Sequence, residues 1–416
     1  MEEVSEFKFF KGKQRSMIVG PLFLILTAMY TIAYNDDFRA RSILWYGISV
    51  VVIGYLALII SSKYMKKPLG LYALWAGVFF CFSFLSGLWA LDINPTLDTS
   101  KSLFLVFVVN ILLSFVIETK EDIRNILFAN LFALGLYLLY VLLNVDLSQL
   151  GEDRLGSDML GSLWNANDVG LKFCVGFALA LYFALDKKYK KWRLLFFAVA
   201  MLFAGVGLFT GSRKVFLMLI GIATLFMFLY SKHKLIGIAI AALAAVALYF
   251  AIMKIEPLYN VLGERLENLI EGLFGEGTTE GSFNTRGEMI KLGFEWFLER
   301  PLFGYGMNNY RILYEQATGV STYSHNNFIE TLINGGIVGF FLYYFIYGYI
   351  FVKLFKPAFF ERDSMAILLF SVNLILLILQ VALISYYQTI FNCLLLLAVL
   401  YVNNREKINE KVEEKS

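Results

Sequence analysis

Stretches of about 18 to 22 mostly apolar residues recur along this chain, parted by short charged clusters, and that is the length at which a helix crosses a hydrocarbon core. They can be placed at 17–34, 43–61, 69–89, 103–117, 123–143, 167–185, 192–209, 213–230, 235–253, 328–355, 364–384 and 386–402. In lipid every backbone N–H and C=O must be paired inside the protein, so runs of this length call for helices and not for barrel strands. Composition closes off the water-soluble alternative. A chain of 416 residues has room for two or three soluble domains, but 59% hydrophobic, 17% aromatic and only 17% charged residues leave too little polar surface to clothe them. The expected fold is therefore all-α and polytopic, with about 12 transmembrane helices in a single transmembrane domain over 1–416. The net charge of +3 is too small for a nucleic-acid surface. Cys81, Cys174 and Cys393 all fall in apolar segments, where they read as small buried hydrophobes and not as a disulfide framework. The charged stretch Glu2 to Arg15 is followed by no small-residue cleavage site, so the first segment reads as a retained helix.

The basic residues are sorted by loop. Clusters from Lys8 to Arg15, Lys63 to Lys67, Lys187 to Arg193, Lys232 to Lys234 and Lys353 onwards alternate with acidic or neutral loops, so the positive-inside rule places both termini in the cytoplasm. The one long extracytoplasmic loop then runs over 254–327, between the ninth and tenth segments. From Pro257 its apolar positions Leu258, Leu262, Leu266, Leu269, Ile270 and Leu273 recur at helical spacing, which predicts an amphipathic surface helix. A glycine and polar tip, Gly275 to Ser282, follows.

Four polar clusters lie on that same outer face. Thr210-Gly211-Ser212-Arg213-Lys214 opens the eighth segment, with Ser212 as the expected helix cap and Arg213 in the first turn. A helix N-terminus already favours an anion, and a guanidinium adds a fork that fits phosphate. An interfacial arginine snorkelling to water has the same sequence. In Asn284-Thr285-Arg286-Gly287-Glu288, Thr285 and Glu288 have capping-box spacing, which places Arg286 in a first turn too. The two arginines read either as a diphosphate clamp or as surface charge. The third cluster, Ser324-His325-Asn326-Asn327, enters the tenth segment and leads to Gly335, Gly336 and Gly339, which allow a bend or close packing. The fourth, Trp164-Asn165-Ala166-Asn167-Asp168, precedes the sixth segment and reads equally well as helix caps. Two separated histidines and no outer acidic triad offer no metal site, and no phosphate-binding loop or dinucleotide fingerprint appears, so neither a metal nor a cofactor is expected.

These residues resemble the O-antigen ligase and polymerase superfamily of bacterial membrane glycosyltransferases. The similarity is clearest from Leu194 to Leu354. Thr210-Gly211-Ser212-Arg213 matches its small-residue-arginine helix start, and Pro301-Leu302-Phe303-Gly304-Tyr305-Gly306 matches its Pro-Leu-Phe-Gly-x-Gly turn. His325-Asn326, followed at the family's spacing by Gly336 and Gly339, is its loop signature. Trp164-Asn165-Ala166-Asn167 is similar to its Asn-Pro-Asn element with Ala166 in place of proline, and Arg286 matches by its place after the loop tip, with Ile290 where the family often has tryptophan.

The resemblance implies a fold related to other lipid-phosphate-dependent glycosyltransferases, a polyprenyl-diphosphate-linked oligosaccharide donor, a glycan acceptor and metal-independent transfer. Carried over residue by residue, Arg213 and Arg286 hold the diphosphate and His325 activates the acceptor. Ser212, Asn165, Asn167, Asn326, Asn327, Gly336 and Gly339 bind substrate or shape the site. The helix dipole and the two arginines are expected to keep His325 neutral. The expected activity is polymerisation of lipid-linked repeat units for capsule, exopolysaccharide or O-antigen at the bacterial cytoplasmic membrane, with polysaccharide-export or chain-length partners. A ligase acting on a lipid A core or another acceptor is the alternative, and a lipid-linked sugar transporter or flippase is the reading from another class.

Overall fold

Where the expected apolar runs fall among the described residues, the chain forms helices, because there alone can a lipid-facing backbone pair all its polar groups. The computed structural model describes residues 69–146, 149, 151–156, 165–274 and 281–413. The expected segments at 17–34 and 43–61, Trp164 and the tip at 275–280 lie outside these residues. The helices are α1 (Leu71–Leu85), α2 (Ile93–Val116), α3 (Lys120–Asn144), α4 (Ala166–Leu185), α5 (Arg193–Leu208), α6 (Arg213–Tyr230), α7 (Lys234–Lys254), α8 (Glu264–Phe274), α9 (Gly281–Glu299), α10 (Tyr310–Thr318), α11 (Asn327–Phe359), α12 (Ser364–Leu379) and α13 (Thr389–Glu413). Among the described residues no strand forms, and eight helices are long and apolar enough to cross a membrane. Two more apolar stretches, Ser364–Leu379 and Thr389–Arg405, are shorter.

Local sequence sets the helix starts. Thr119 and Asp122 close a capping box on α3, each side chain taking the other's backbone N–H. Asp92 caps α2 through Asn94 N, so that helix begins well before the apolar run expected at 103–117. Burial then separates centre from rim. In α4 78% of the spanning positions are buried, against 17% in α7, whose Leu235, Ile236, Leu243, Val246 and Phe250 are exposed. No water-soluble protein leaves a whole helix face of that kind open, so α7 faces lipid and α4 is the axis against which α3, α5, α6 and α12 pack.

Two helix starts within 254–327 also differ from the sequence expectation. The amphipathic element does not run unbroken from Pro257: a single helical turn, Glu256–Leu258, and a wide π-type turn, Tyr259–Gly263, come before α8. Helix α9 starts at Gly281, which leaves Thr285 inside the helix, so Arg286 sits in its second turn and not beside a capping box.

Helix α11 is the element that positions the site. Its 33 residues would span about 50 Å if straight, well beyond a hydrocarbon core of about 30 Å. It is broken at Gly336 (φ 60°, ψ −166°), and the Pro301 to Gly306 turn fills the break. Tyr305 N and Gly306 N donate to the carbonyls of Ile333 and Asn334 at 2.9 Å each, while Ile337 N and Val338 N donate to the carbonyls of Pro301 (2.8 Å) and Leu302 (3.2 Å). Every group freed by the break that these bonds reach is thereby paired, as hydrocarbon depth demands. A Cβ on Gly336 would lie 2.3 Å from the Leu302 backbone, and one on Gly304 2.3 Å from Ile333 O, so both positions need glycine. Beside the break a small core of Met289, Tyr305, Tyr310, Leu313, Tyr314 and Ile333 presses α9 and α10 against the first half of α11.

Candidate active site

Helices α4 and α6 begin side by side. A Cβ on Gly170 would lie 2.2 Å from the Val215 side chain, so glycine lets the two starts approach. Asn165 caps α4 by accepting from Asn167 N at 2.9 Å. The Asn167 Oδ1 accepts the Ser212 hydroxyl at 2.6 Å. Ser212 thus holds the N-cap position of α6 but gives its hydroxyl to α4 and makes no side-chain cap, contrary to the sequence expectation. The preceding turn passes through Gly211 (φ 59°), where a Cβ would meet Val261 O at 2.4 Å. Two arginines fasten its carbonyls: Arg154 Nε donates to Thr210 O at 3.1 Å and Arg265 to Gly211 O at 3.4 Å. Arg213 is therefore the first helical residue on a braced turn.

The His325 turn is built on different principles. His325 has φ 56°, a left-handed conformation that costs a non-glycine residue about 1–2 kcal/mol. Asn326, the N-cap of α11, accepts from Phe328 N (3.0 Å) and Ile329 N (3.2 Å). Asn327 is fully buried and all its polar groups are engaged: its backbone N donates to Gln380 O (2.7 Å), its amide to Gln380 Oε1 and Tyr344 OH (both 3.0 Å), and its Oδ1 accepts from Ser385 N (2.9 Å). The Ser324 N–H donates to Glu330 Oε2 at 2.9 Å. Tyr323 packs on the imidazole with ring centroids 4.2 Å apart.

Electrostatics join the two constructions. Burial, then the charges of Arg286 and Lys214, push the His325 imidazole down to about 4, so it is neutral near pH 7. Neutrality is as expected, with burial as its largest cause and Lys214 acting beside Arg286 where Arg213 was expected. Lys214 in turn lies within electrostatic reach of Arg286, Asp168 and Arg213, and it donates a hydrogen bond to Ala382 O. Lys214, Arg286 and His325 therefore form one cluster, with Asp168 as its acidic member and Arg213 adjoining it as the chain neighbour of Lys214. Such a group can bind a multiply charged anion beside a neutral base.

Of the expected site residues, Arg286 and His325 come together, Arg213 adjoins them through its chain neighbour Lys214, and Ser212 and Asn167, the latter held by Asn165, brace the turn beneath Arg213. Asn326 and Asn327 shape the His325 turn with side chains already engaged. Gly336 lies at the helix break and Gly339 packs against Phe82, where a Cβ would be 2.7 Å from the ring, so both serve the close packing of α11. Sequence reasoning missed Lys214, Asp168, Tyr323, Arg154 and Arg265 as parts of the site. Lys214 adjoins Arg213 and Asp168 adjoins Asn167, which was signal enough to test them. Lone arginines at 154 and 265 carry no such signal. Among the described residues no group of three His, Cys, Asp or Glu side chains could hold a metal ion.

No curated protein matches the chain. Residues 196–344 match the family model described as O-antigen ligase, a span that contains Arg213, Lys214, Arg286, His325 and the plugged break of α11. Over that segment the chain, helical throughout its described residues apart from turns and with eight helices long and apolar enough to cross a membrane, is similar to the O-antigen ligase family.

Proposed function

We propose that the protein polymerises polyprenyl-diphosphate-linked oligosaccharide repeat units on the outer face of a bacterial cytoplasmic membrane. The observation that most supports this is the convergence of Arg286 and Lys214 on a half-buried, neutral His325, with Arg213 beside Lys214. In this reading the donor diphosphate lies among the three cations and the acceptor hydroxyl lies against the imidazole. The acceptor oxygen bonds to the anomeric carbon as the bond from that carbon to the diphosphate oxygen breaks. The electron pair leaves with polyprenyl diphosphate, stabilised by the cations, and the hydroxyl proton passes to His325. Three cations around the leaving group supply the charge stabilisation that a divalent ion gives elsewhere, so none is required. A bound diphosphate would also offset the two cations that help hold His325 at about 4, so the base strengthens when the donor is in place.

Incubating the purified protein with its lipid-linked repeat unit tests the reading, and a ladder of products is expected. A single product on a lipid A core or another acceptor would replace polymerase by ligase, which the description of the matching family keeps as the second reading. Movement of lipid-linked sugar across sealed vesicles with no new glycosidic bond would replace both by transport. The sidedness can be tested separately with Ser282→Cys in a chain stripped of its three cysteines: labelling by an impermeant thiol reagent in intact cells is expected, and labelling only after lysis would reverse the orientation.

A further inference from the structure

The left-handed turn at His325 is fastened on its C-terminal side by the Asn326 cap and the Asn327 network. On its N-terminal side one buried carboxylate does the work. Glu330, 1% exposed and one turn into α11, reaches back so that Oε2 accepts the Ser324 N–H at 2.9 Å. Its Oε1 accepts Asn334 Nδ2 at 3.2 Å. The Asn334 amide is not free to turn, because its Oδ1 accepts Tyr310 N at 2.8 Å, so its nitrogen must donate towards Glu330. Both oxygens of residue 330 must therefore accept. A carboxylate offers two accepting oxygens and an amide offers one. Ser324 is tied to the turn a second time, its hydroxyl donating to Asn326 O at 2.8 Å and accepting from Asn326 N at 3.2 Å, so a displaced Ser324 moves the backbone on both sides of His325.

We infer that Glu330 is a positioning residue: its carboxylate clamps the Ser324 amide, which keeps His325 in its left-handed turn, and through Asn334 it couples that turn to the plugged break of α11. The chain of bonds runs from Ser324 through Glu330 and Asn334 to Tyr310, at the start of α10, and the Asn334 carbonyl joins it to Gly306 at 2.9 Å. The helix break thereby becomes part of the support for the imidazole. For its catalytic consequence the inference rests on the proposed role of His325; the clamp itself does not.

Glu330→Gln tests it, with Glu330→Asp, which keeps two acceptors on a shorter reach, as a second variant should the first fail to insert. The expected result is a fall in kcat of about tenfold or more with donor KM moved less than about threefold. In the His325→Gln background the same change should cost little, because a clamp acts only through what it holds. Hydrogen exchange of the amides at 321–328 should quicken about tenfold while the distant helices are unchanged. Losses that simply multiply across the two sites, or unchanged exchange at 321–328, would overturn the inference. Normal turnover by His325→Gln alone would instead sink the base role, and the exchange result would still decide the clamp.

Discussion

The turn around His325 and the helix that carries Arg286 face the same electrostatic cluster, yet they are held in opposite ways. Ser324, Asn326 and Asn327 are buried and their polar groups are bonded to α11 or to the turn after α12. Around Arg286, by contrast, Thr285, Gly287 and Glu288 are exposed, and a Cβ on Gly287 would meet nothing within 4 Å. The packed face of α9 is that of Met289 and Gly293, where Gly293 approaches Ile329 and Ile333, and half-buried Arg286 lies at the N-terminal end of that same face. The difference matches the two jobs. A general base must be in place before the substrate arrives, since small errors of position are costly in rate, whereas a residue that grips a large anionic headgroup needs open space beside it.

His325→Gln should break this division of labour most severely. Glutamine keeps hydrogen-bonding capacity but is no base, so turnover should fall about a hundredfold or more while donor binding persists. Near-normal turnover, measured on the lipid-linked repeat unit, would reduce His325 to a positioning group. Next comes Arg213→Lys. One ammonium cannot reproduce the guanidinium fork, and losing a charge-assisted bidentate contact should cost about 1.5–3 kcal/mol, on the order of ten- to a hundredfold in donor use. Full activity in a correctly inserted lysine variant would make Arg213 an interfacial anchor.

A smaller effect is expected on stability as pH falls. With the folded imidazole held at about 4 and a free histidine near 6.5, the unfolded chain binds the proton first. His325 therefore lowers stability progressively as pH drops from about 6.5 towards 4, and has no such effect above that window. Thermal melts of wild type and His325→Gln at pH 7.5 and 5 should converge in difference accordingly, with the variant losing less on acidification; equal losses would show that the imidazole is not kept neutral. The mildest change is Gly287→Ala. On the open face of α9 it should leave activity within about twofold and add up to about 1 kcal/mol of helix stability. A large loss of turnover there would mean that the surface beside Arg286 is already filled when the site works.

Much of the site was legible because its parts are local. A small residue before arginine at a helix start, and His325-Asn326 with glycines one helical stretch later, are patterns that a linear reading detects. The Thr285–Glu288 pair misled for the same reason: capping-box spacing is a local signal, and α9 instead begins at Gly281. Ser212 misled because a serine at an N-cap has a choice of partners, and Asn167, brought close by Gly170, offered a better one than the helix amides.

The amino-acid sequence by itself determined that this chain is a set of membrane helices, because bilayer thickness and backbone pairing leave no other use for apolar runs of such length. It also marked Arg213, Arg286 and His325. Tertiary structure alone decided that Lys214 joins them, that burial first and then Arg286 and Lys214 keep His325 neutral, that a turn from 301–306 fills the break at Gly336, and that Glu330 bonds the Ser324 amide before α11. Each of these depends on which distant groups exclude water or meet across the bundle, and desolvation and approach are sums over neighbours that no short stretch of residues contains.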